Sequence, residues 1–269
     1  MSSLLAHTRP ILAIPRLPRF QTSSPAVVLV CDKIRFALKN EIYSEFGWFI
    51  REYPRAYRYH LDCSEYRLRN IHEKYIQAHS YLSREIRKAE HANTFSLGVL
   101  SDTEANFAIY WDFDSFLSAI NSALEILARI VGLAYKKDIS PSFSKLCKRA
   151  PNEGLALILK NANKNWVGRM KDYRDCFVHY CPVDTIFVMS AHLYSNGWEI
   201  RSKLPTNPGV REMVAFRYSR RVELLKYAIS THRQMQRLDK LVALEIQRLY
   251  KVGEFPKRTN NLFFVGSRE

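Results

Sequence analysis

Glycine and proline are scarce in this chain, and the glycine-rich loops that bind phosphate are missing. Only 9 Gly and 11 Pro occur in 269 residues, which disfavours a turn-rich β-sandwich and favours long helices. The sequence contains no Walker-type loop and no dinucleotide fingerprint, and it has no HExxH, GxSxG or protein-kinase motif. The enzyme classes that these motifs identify are therefore not supported, and we expect no cofactor.

The cysteines lack the pattern of a disulfide framework or a structural zinc site. They occupy positions 31, 63, 147, 176 and 181, and no two of them form a CxxC pair. Cys176, His179 and Cys181 do not point three ligands at one place on a helix, so we expect no metal. No uncharged apolar run reaches the roughly 18 residues of a membrane-spanning helix. We expect a cytoplasmic protein without a membrane partner.

Acidic residues are outnumbered by basic ones. Lys and Arg total 41 against 26 Asp and Glu, giving a net charge of +15. Residues 1–100 carry +6 and residues 201–269 carry +9, whereas residues 101–200 are neutral. This excess favours an anionic partner, nucleic acid first, although a solvated basic surface has the same composition.

Residues 1–25 contain no acidic side chain but several prolines, and we expect a mobile basic tail there. Residues 26–269 are expected to form a single mainly helical domain. Apolar residues at helical spacing predict a first helix over 32–53 that Pro54 ends, and a second helix that continues to about Ala92.

A third helix is predicted to begin after Asp102 or Thr103 and to include Trp111 among its core residues. Shorter helices are predicted over 142–149, 153–161 and 163–180. The tyrosines of the second predicted helix fit core packing better than base stacking at their helical spacing; they are Tyr57, Tyr59, Tyr66, Tyr75 and Tyr81.

The pattern becomes β-like after residue 184. Asn196-Gly197 is a type I′ turn pair between two segments rich in β-branched and aromatic residues, which predicts a hairpin near 184–204. A third strand near Tyr218 would complete a β insertion over 184–218. A basic C-terminal helix is predicted over 219–252.

One short polar motif at the end of the 163–180 helix suggests chemistry. RNA cleavage without metal requires a base that takes the 2′-hydroxyl proton and a cation that stabilises charge on the phosphate oxygens. His179 suits the first role, and Arg174 suits the second because its guanidinium is always charged and binds bidentately. Asp175, four residues before His179, would share its helical face and either hold the imidazole or raise its pKa. Arg174 lies about 140° from His179 around an α-helix, so only its long side chain could converge on a shared phosphate.

An arginine, a polar residue, three mostly apolar residues and a histidine, late in a helical domain, resemble the signature of the HEPN superfamily. Many members of that family are metal-independent ribonucleases of toxin-antitoxin, abortive-infection and CRISPR-linked systems, and others bind nucleotides or proteins without catalysis. In the family, two motif helices meet across a homodimer and share one cleft. The resemblance covers Arg174, Asp175 and His179, and the helical order of residues 105–181 is consistent with the family's bundle.

The resemblance implies a homodimeric HEPN-like helical bundle that cleaves RNA, with an antitoxin or another defence-system protein as a further partner. It also implies an alternative, a non-catalytic nucleic-acid-binding or protein-binding module on the same fold. Some family toxins have a tyrosine two positions after the histidine; Cys181 stands there in this chain, so regulation through that tyrosine is not expected.

Other interpretations of the same residues stay open. His179 beside Asp175 also fits a structural pair, and Arg55 with His60 and Arg67 with His72 repeat the spacing among mixed, strongly basic residues. A DNA-binding protein is a third reading, although no helix-turn-helix pattern is evident. Basic residues near the C-terminus could steer RNA, form a solvated face or meet an acidic partner helix; they include Arg217, Arg220, Arg221, Arg233 and Arg237.

Overall fold

The computed structural model describes residues 10–18, 20, 24–37, 45–91, 104–133, 142–180, 189–194 and 197–251. These residues form a mainly helical structure with one small antiparallel sheet, as the sequence predicts. The α-helices are α1 (Ala26–Ala37), α2 (Glu45–His91), α3 (Glu104–Gly132), α4 (Phe143–Arg149), α5 (Gly154–Ala162), α6 (Gly168–Asp175) and α7 (Leu224–Lys251). The strands are β1 (Met189–Tyr194), β2 (Gly197–Pro205) and β3 (Tyr218–Glu223).

The chain divides into two compact units, each assembled from three separate stretches. The first unit takes the described residues within 1–18, 66–116 and 172–230. The second takes those within 19–65, 117–171 and 231–269. The sequence predicts one domain over 26–269, and α2, α3 and α7 each contribute residues to both units.

The prediction that Pro54 ends a helix is wrong, because Pro54 lies inside α2. A proline in a helix interior removes one backbone hydrogen bond and costs roughly 3 kcal/mol. Ile50 and Tyr57, on either side of the proline, are both fully buried. Burial of these flanking turns offsets the proline penalty. The predicted caps of the third helix, Asp102 and Thr103, lie outside the described residues.

The boundary predicted for the C-terminal helix is also wrong, since residues 219–223 form β3 rather than the first helical turns. β3 pairs with β2 through Pro205↔Tyr218 and Lys203↔Glu223. The Glu223 carboxylate then accepts a hydrogen bond from the Lys226 backbone N–H at 2.8 Å, the interaction of a helix N-cap. α7 therefore begins only at Leu224.

The predicted hairpin is confirmed, and its strands are adjacent in the sheet order β1-β2-β3. β1 and β2 pair antiparallel from Met189↔Ser202 to Tyr194↔Gly197. Gly197 has φ +123°, which L-residues rarely adopt. Asn196 of the predicted turn lies outside the described residues.

The N-terminal segment pairs with β2, although the sequence predicts a mobile tail there. The Leu12 N–H donates to the Trp198 carbonyl at 2.9 Å, and the Trp198 N–H donates to the Pro10 carbonyl at 2.9 Å. These bonds satisfy backbone groups of β2 at a point where β3 does not reach. Residues 10–12 of the predicted tail are therefore paired with the sheet.

Helix α3 contains one stretch that meets the length and composition of a membrane-spanning helix, although the sequence predicts none. Its stretch Phe107–Gly132 is long and apolar enough to cross a membrane by length and composition. Half of the stretch is buried within the structure, as in the core helix of a soluble protein. A single helix of this kind is weak evidence for membrane insertion.

Candidate active site: Arg174, Asp175 and His179

The predicted motif spans the end of α6 and a π-helical turn. The sequence predicts a continuous α-helix over 163–180, but Asn163–Val167 and Cys176–Tyr180 are π-helical. A π turn closes from residue i to residue i+5 instead of i+4. Arg174 and His179 are five residues apart, the i to i+5 spacing that a π turn closes, and the π-helical residues begin between them at Cys176. Such turns are frequent at functional sites.

The middle of the motif anchors it in the first unit. Cys176 and Phe177 are buried, whereas Val178 is 52% exposed and His179 is exposed. The Phe177 ring packs edge-on against Phe113 of α3, with ring centroids 5.5 Å apart. The motif therefore has a buried apolar side and presents its histidine to solvent.

An aromatic cluster holds the turn before the motif in place. The Tyr173 and Tyr227 ring centroids are 4.6 Å apart, and the Phe113 and Tyr227 centroids are 6.2 Å apart. Each aromatic pair contributes about 0.5–1.5 kcal/mol beyond its burial. The buried Tyr173 hydroxyl donates to the Pro205 carbonyl at 2.5 Å. These contacts restrain the backbone immediately before Arg174.

Asp175 binds the arginine of the motif. Arg174 Nε and Nη2 both donate to Asp175 Oδ1, at 2.9 and 2.5 Å. Asp175, which the sequence predicts beside the His179 imidazole, therefore binds the Arg174 guanidinium. Both side chains are partly exposed, so the energy of this pair is reduced by solvent screening.

Asp114 of α3 is a second carboxyl group near the arginine. Burial raises the pKa of Asp114, and the positive charge of Arg174 opposes that shift. Its buried Oδ1 has no hydrogen-bond partner among the described residues. The guanidinium therefore lies within the electrostatic reach of two carboxyl groups, from α3 and from its own chain neighbour.

Trp111 is exposed, contrary to the prediction that it belongs to the core of α3. The buried stripe of α3 includes Tyr110, Phe113 and Leu117, which leaves Trp111 on the outer side with 52% of its surface exposed. Its position in a run of mostly apolar residues concealed this, because Tyr110 and Phe113 on either side of it are both fully buried and apolar character alone does not show which of these neighbours stays outside. Sequence reasoning missed Asp114 as well, since nothing in α3 pointed to Arg174.

The predicted basic residues do not form one surface on the C-terminal helix. Arg217 precedes β3, and Arg220 and Arg221 lie within it. The side chains of Arg217 and Arg221 are exposed, and that of Arg220 lies outside the described part of the structure. Arg233 and Arg237 are exposed on α7 and belong to the second unit. Only the residues near β3 share a unit with the motif.

The tyrosines of α2 have two different roles. Tyr57 and Tyr75 are buried, as core packing predicts, whereas Tyr59, Tyr66 and Tyr81 are exposed. The Tyr75 hydroxyl donates to the Ile200 carbonyl of β2 at 2.6 Å. Core packing therefore accounts for only part of this set.

Buried charged residues also occur in the sheet. Glu199, Arg201 and Glu223 are all less than a tenth exposed. Burial raises the pKa of Glu223, against hydrogen bonds from backbone N–H groups that lower it. Lys226 lies 3.4 Å from a carboxylate oxygen of Glu199. These contacts join β2 to the start of α7 and have no evident connection with the motif.

No group of three or more His, Cys, Asp or Glu side chains suited to a metal ion occurs among the residues that the structure describes. Cys181, a possible metal ligand beside Cys176 and His179 by sequence, lies outside the described residues.

No protein-family model, curated protein or solved structure matches this chain. The resemblance to the HEPN superfamily therefore depends on the motif residues alone.

Proposed function

We propose that this protein is a metal-independent endoribonuclease of HEPN type, with His179 and Arg174 acting directly on RNA. The observation that carries the proposal is the arrangement of one short segment. Its apolar residues Cys176 and Phe177 are buried, while His179 is exposed and Arg174 is partly exposed. A histidine needed only for packing would be expected inside.

In the proposed reaction the neutral imidazole of His179 takes the proton of a ribose 2′-hydroxyl. The 2′-oxygen attacks the adjacent phosphorus and the bond to the 5′-oxygen breaks, leaving a 2′,3′-cyclic phosphate. The protonated imidazole of His179 then gives this proton to the departing 5′-oxygen, which leaves as a hydroxyl. Arg174 stabilises the negative charge on the non-bridging oxygens, and for this its guanidinium must turn part of its hydrogen bonding from Asp175 to the phosphate.

The remaining parts of this proposal follow from the family resemblance. The protein would be a homodimer whose two motif segments share one cleft, and it would act in the cytoplasm against phage or within a toxin-antitoxin pair. An antitoxin or another defence-system protein would be its regulatory partner.

The test is cleavage of a mixed RNA pool in EDTA by wild type, His179→Ala, Arg174→Ala and Arg174→Lys. We expect cyclic phosphate ends from wild type and a loss of at least 100-fold in each alanine variant. The lysine variant should recover little, since it lacks the planar guanidinium. Arg55→Ala and His60→Ala are the matched controls, because this pair has the same spacing in α2. No cleavage by folded, dimeric wild type would refute the proposal.

A non-catalytic binding module is the second candidate function, and the Arg174–Asp175 interaction favours it. Two guanidinium nitrogens are engaged by the carboxylate, as expected if the pair serves only to brace the end of α6. Asp175→Asn separates the two candidates. Release of the guanidinium should alter cleavage in a ribonuclease, whereas a structural brace predicts a change in stability alone.

A further inference from the structure

We propose that Trp111 is a stacking platform for an unpaired RNA base next to the Arg174–His179 motif. The inference rests on the proposed function, because it assigns a subsite to the RNA that the motif would cleave. It starts from a large apolar side chain that the fold leaves half exposed. Trp111 lies in the same compact unit as the motif.

The position of Trp111 around α3 places it on the arginine side of the helix. Phe113 and Tyr110 contact the Phe177 ring, with centroids 5.5 and 6.3 Å away. Asp114 follows next around the helix and is close enough to Arg174 for the guanidinium to influence its pKa. Trp111 lies about 60° further in the same direction. Residues at i and i+3 have Cβ atoms roughly 5–6 Å apart, so Trp111 adjoins Asp114 at the exposed edge.

Cations also lie on the other side of Trp111. Asp112, the next residue, is buried and is bound by Arg67 at 2.9 Å and by Lys74 of α2. Around α3, Trp111 therefore lies between the carboxyl group that Arg174 influences and the carboxylate that binds Arg67 and Lys74. Exposed aromatic rings set among cations are the usual arrangement for binding single-stranded nucleic acid.

Charge and base stacking should make separable contributions to the affinity for RNA. Asp112, Asp114 and Asp175 offset much of the positive charge of the neighbouring cations, so long-range attraction of RNA would come from the net charge of +15 on the whole chain. Stacking on the indole would then supply short-range binding that is indifferent to base identity. Trp111→Leu should weaken binding by the same factor at low and high salt, unlike the loss of a phosphate contact.

The experiment measures binding of a fluorescein-labelled single-stranded RNA and of an abasic strand of equal length, in a His179→Ala background that prevents cleavage. Trp111→Leu should raise the Kd for RNA on the order of tenfold and leave the Kd for the abasic strand unchanged. Trp111→Phe should retain most of the affinity. Tyr81→Leu, which removes another exposed aromatic ring from the same unit, should have no effect.

Equal binding of RNA by the Trp111→Leu and unsubstituted proteins would overturn the inference. An equal rise in Kd for RNA and for the abasic strand would also overturn the inference, because stacking requires a base. Dissociation of a dimer by Trp111→Leu would overturn it as well, because the ring would then contact the partner protein. The outcome is distinguishable from that of the proposed function. If wild type does not cleave RNA but binds it through Trp111 more tightly than the abasic strand, the subsite is supported and the nuclease is refuted. If cleavage requires His179 but neither cleavage nor binding changes in Trp111→Leu, the nuclease is supported and the subsite is refuted.

Discussion

His232 should make the stability of this protein fall in mild acid. The side chain is buried on α7, its ring nitrogens have no hydrogen-bond partner among the described residues, and Phe20 packs edge-on against it with centroids 5.6 Å apart. Burial and the positive charge of Arg233 lower its pKa from 6.5 to about 4. The nearest opposite charge is the Glu65 carboxylate, 3.8 Å from Nε2, and it does not compensate for burial.

The sign of the effect follows from which state takes up the proton. Between pH 6.5 and 4 the unfolded chain protonates this histidine and the folded chain does not, so lowering the pH favours unfolding. The stability contribution of the neutral ring is complete above about pH 6.5 and is lost as the pH falls towards 4. Integration over this pKa difference lowers the free energy of unfolding by about 2 kcal/mol between about pH 7.5 and 5.

Urea unfolding at these two pH values, followed by circular dichroism, measures the effect. His232→Gln cannot titrate, so its stability should fall by about 2 kcal/mol less than that of wild type over this interval. Burial raises the pKa of the nearby Asp239, which acts in the opposite direction but is present in both proteins and cancels in the comparison. His91→Gln, at an exposed position, should behave like wild type. Equal pH dependence in wild type and His232→Gln would refute the reasoning.

Three further substitutions test the contacts that support the fold. Gly197→Ala should destabilise the protein by roughly 1–3 kcal/mol, since φ is +123° and the new Cβ would lie 2.2 Å from the Pro10 carbonyl oxygen; an unchanged Tm would contradict this. Tyr173→Phe should cost about 1 kcal/mol in urea unfolding, because the buried Pro205 carbonyl loses its donor, whereas Tyr66→Phe at a 60% exposed ring should be neutral. Asp239 accepts hydrogen bonds from the Ala26 and Val27 amides and from the Tyr57 hydroxyl. Asp239→Ala should therefore lower the free energy of unfolding by roughly 2–3 kcal/mol and speed hydrogen exchange at the start of α1. Exchange equal to wild type there would show that Asp239 does not cap the N-terminus of α1.

Local sequence patterns predicted most of the secondary structure. The α3 stretch, the two short helices α4 and α5, and the hairpin all follow from apolar periodicity and turn residues that act over a few positions. The same patterns failed at Pro54 and at residues 219–223. There the outcome depends on burial of Ile50 and Tyr57 and on pairing with β2, which are properties of distant parts of the chain.

The sequence by itself determined the identity and spacing of Arg174, Asp175 and His179, because these are facts of covalent order. Only the tertiary structure decided that a π turn follows Asp175, that Phe177 packs against Phe113, and that Asp175 binds the guanidinium. It also placed Asp114 near the arginine and left Trp111 exposed. Helical periodicity states which residues share a face, but which face becomes buried depends on the elements that pack against it, and those come from distant stretches of the chain.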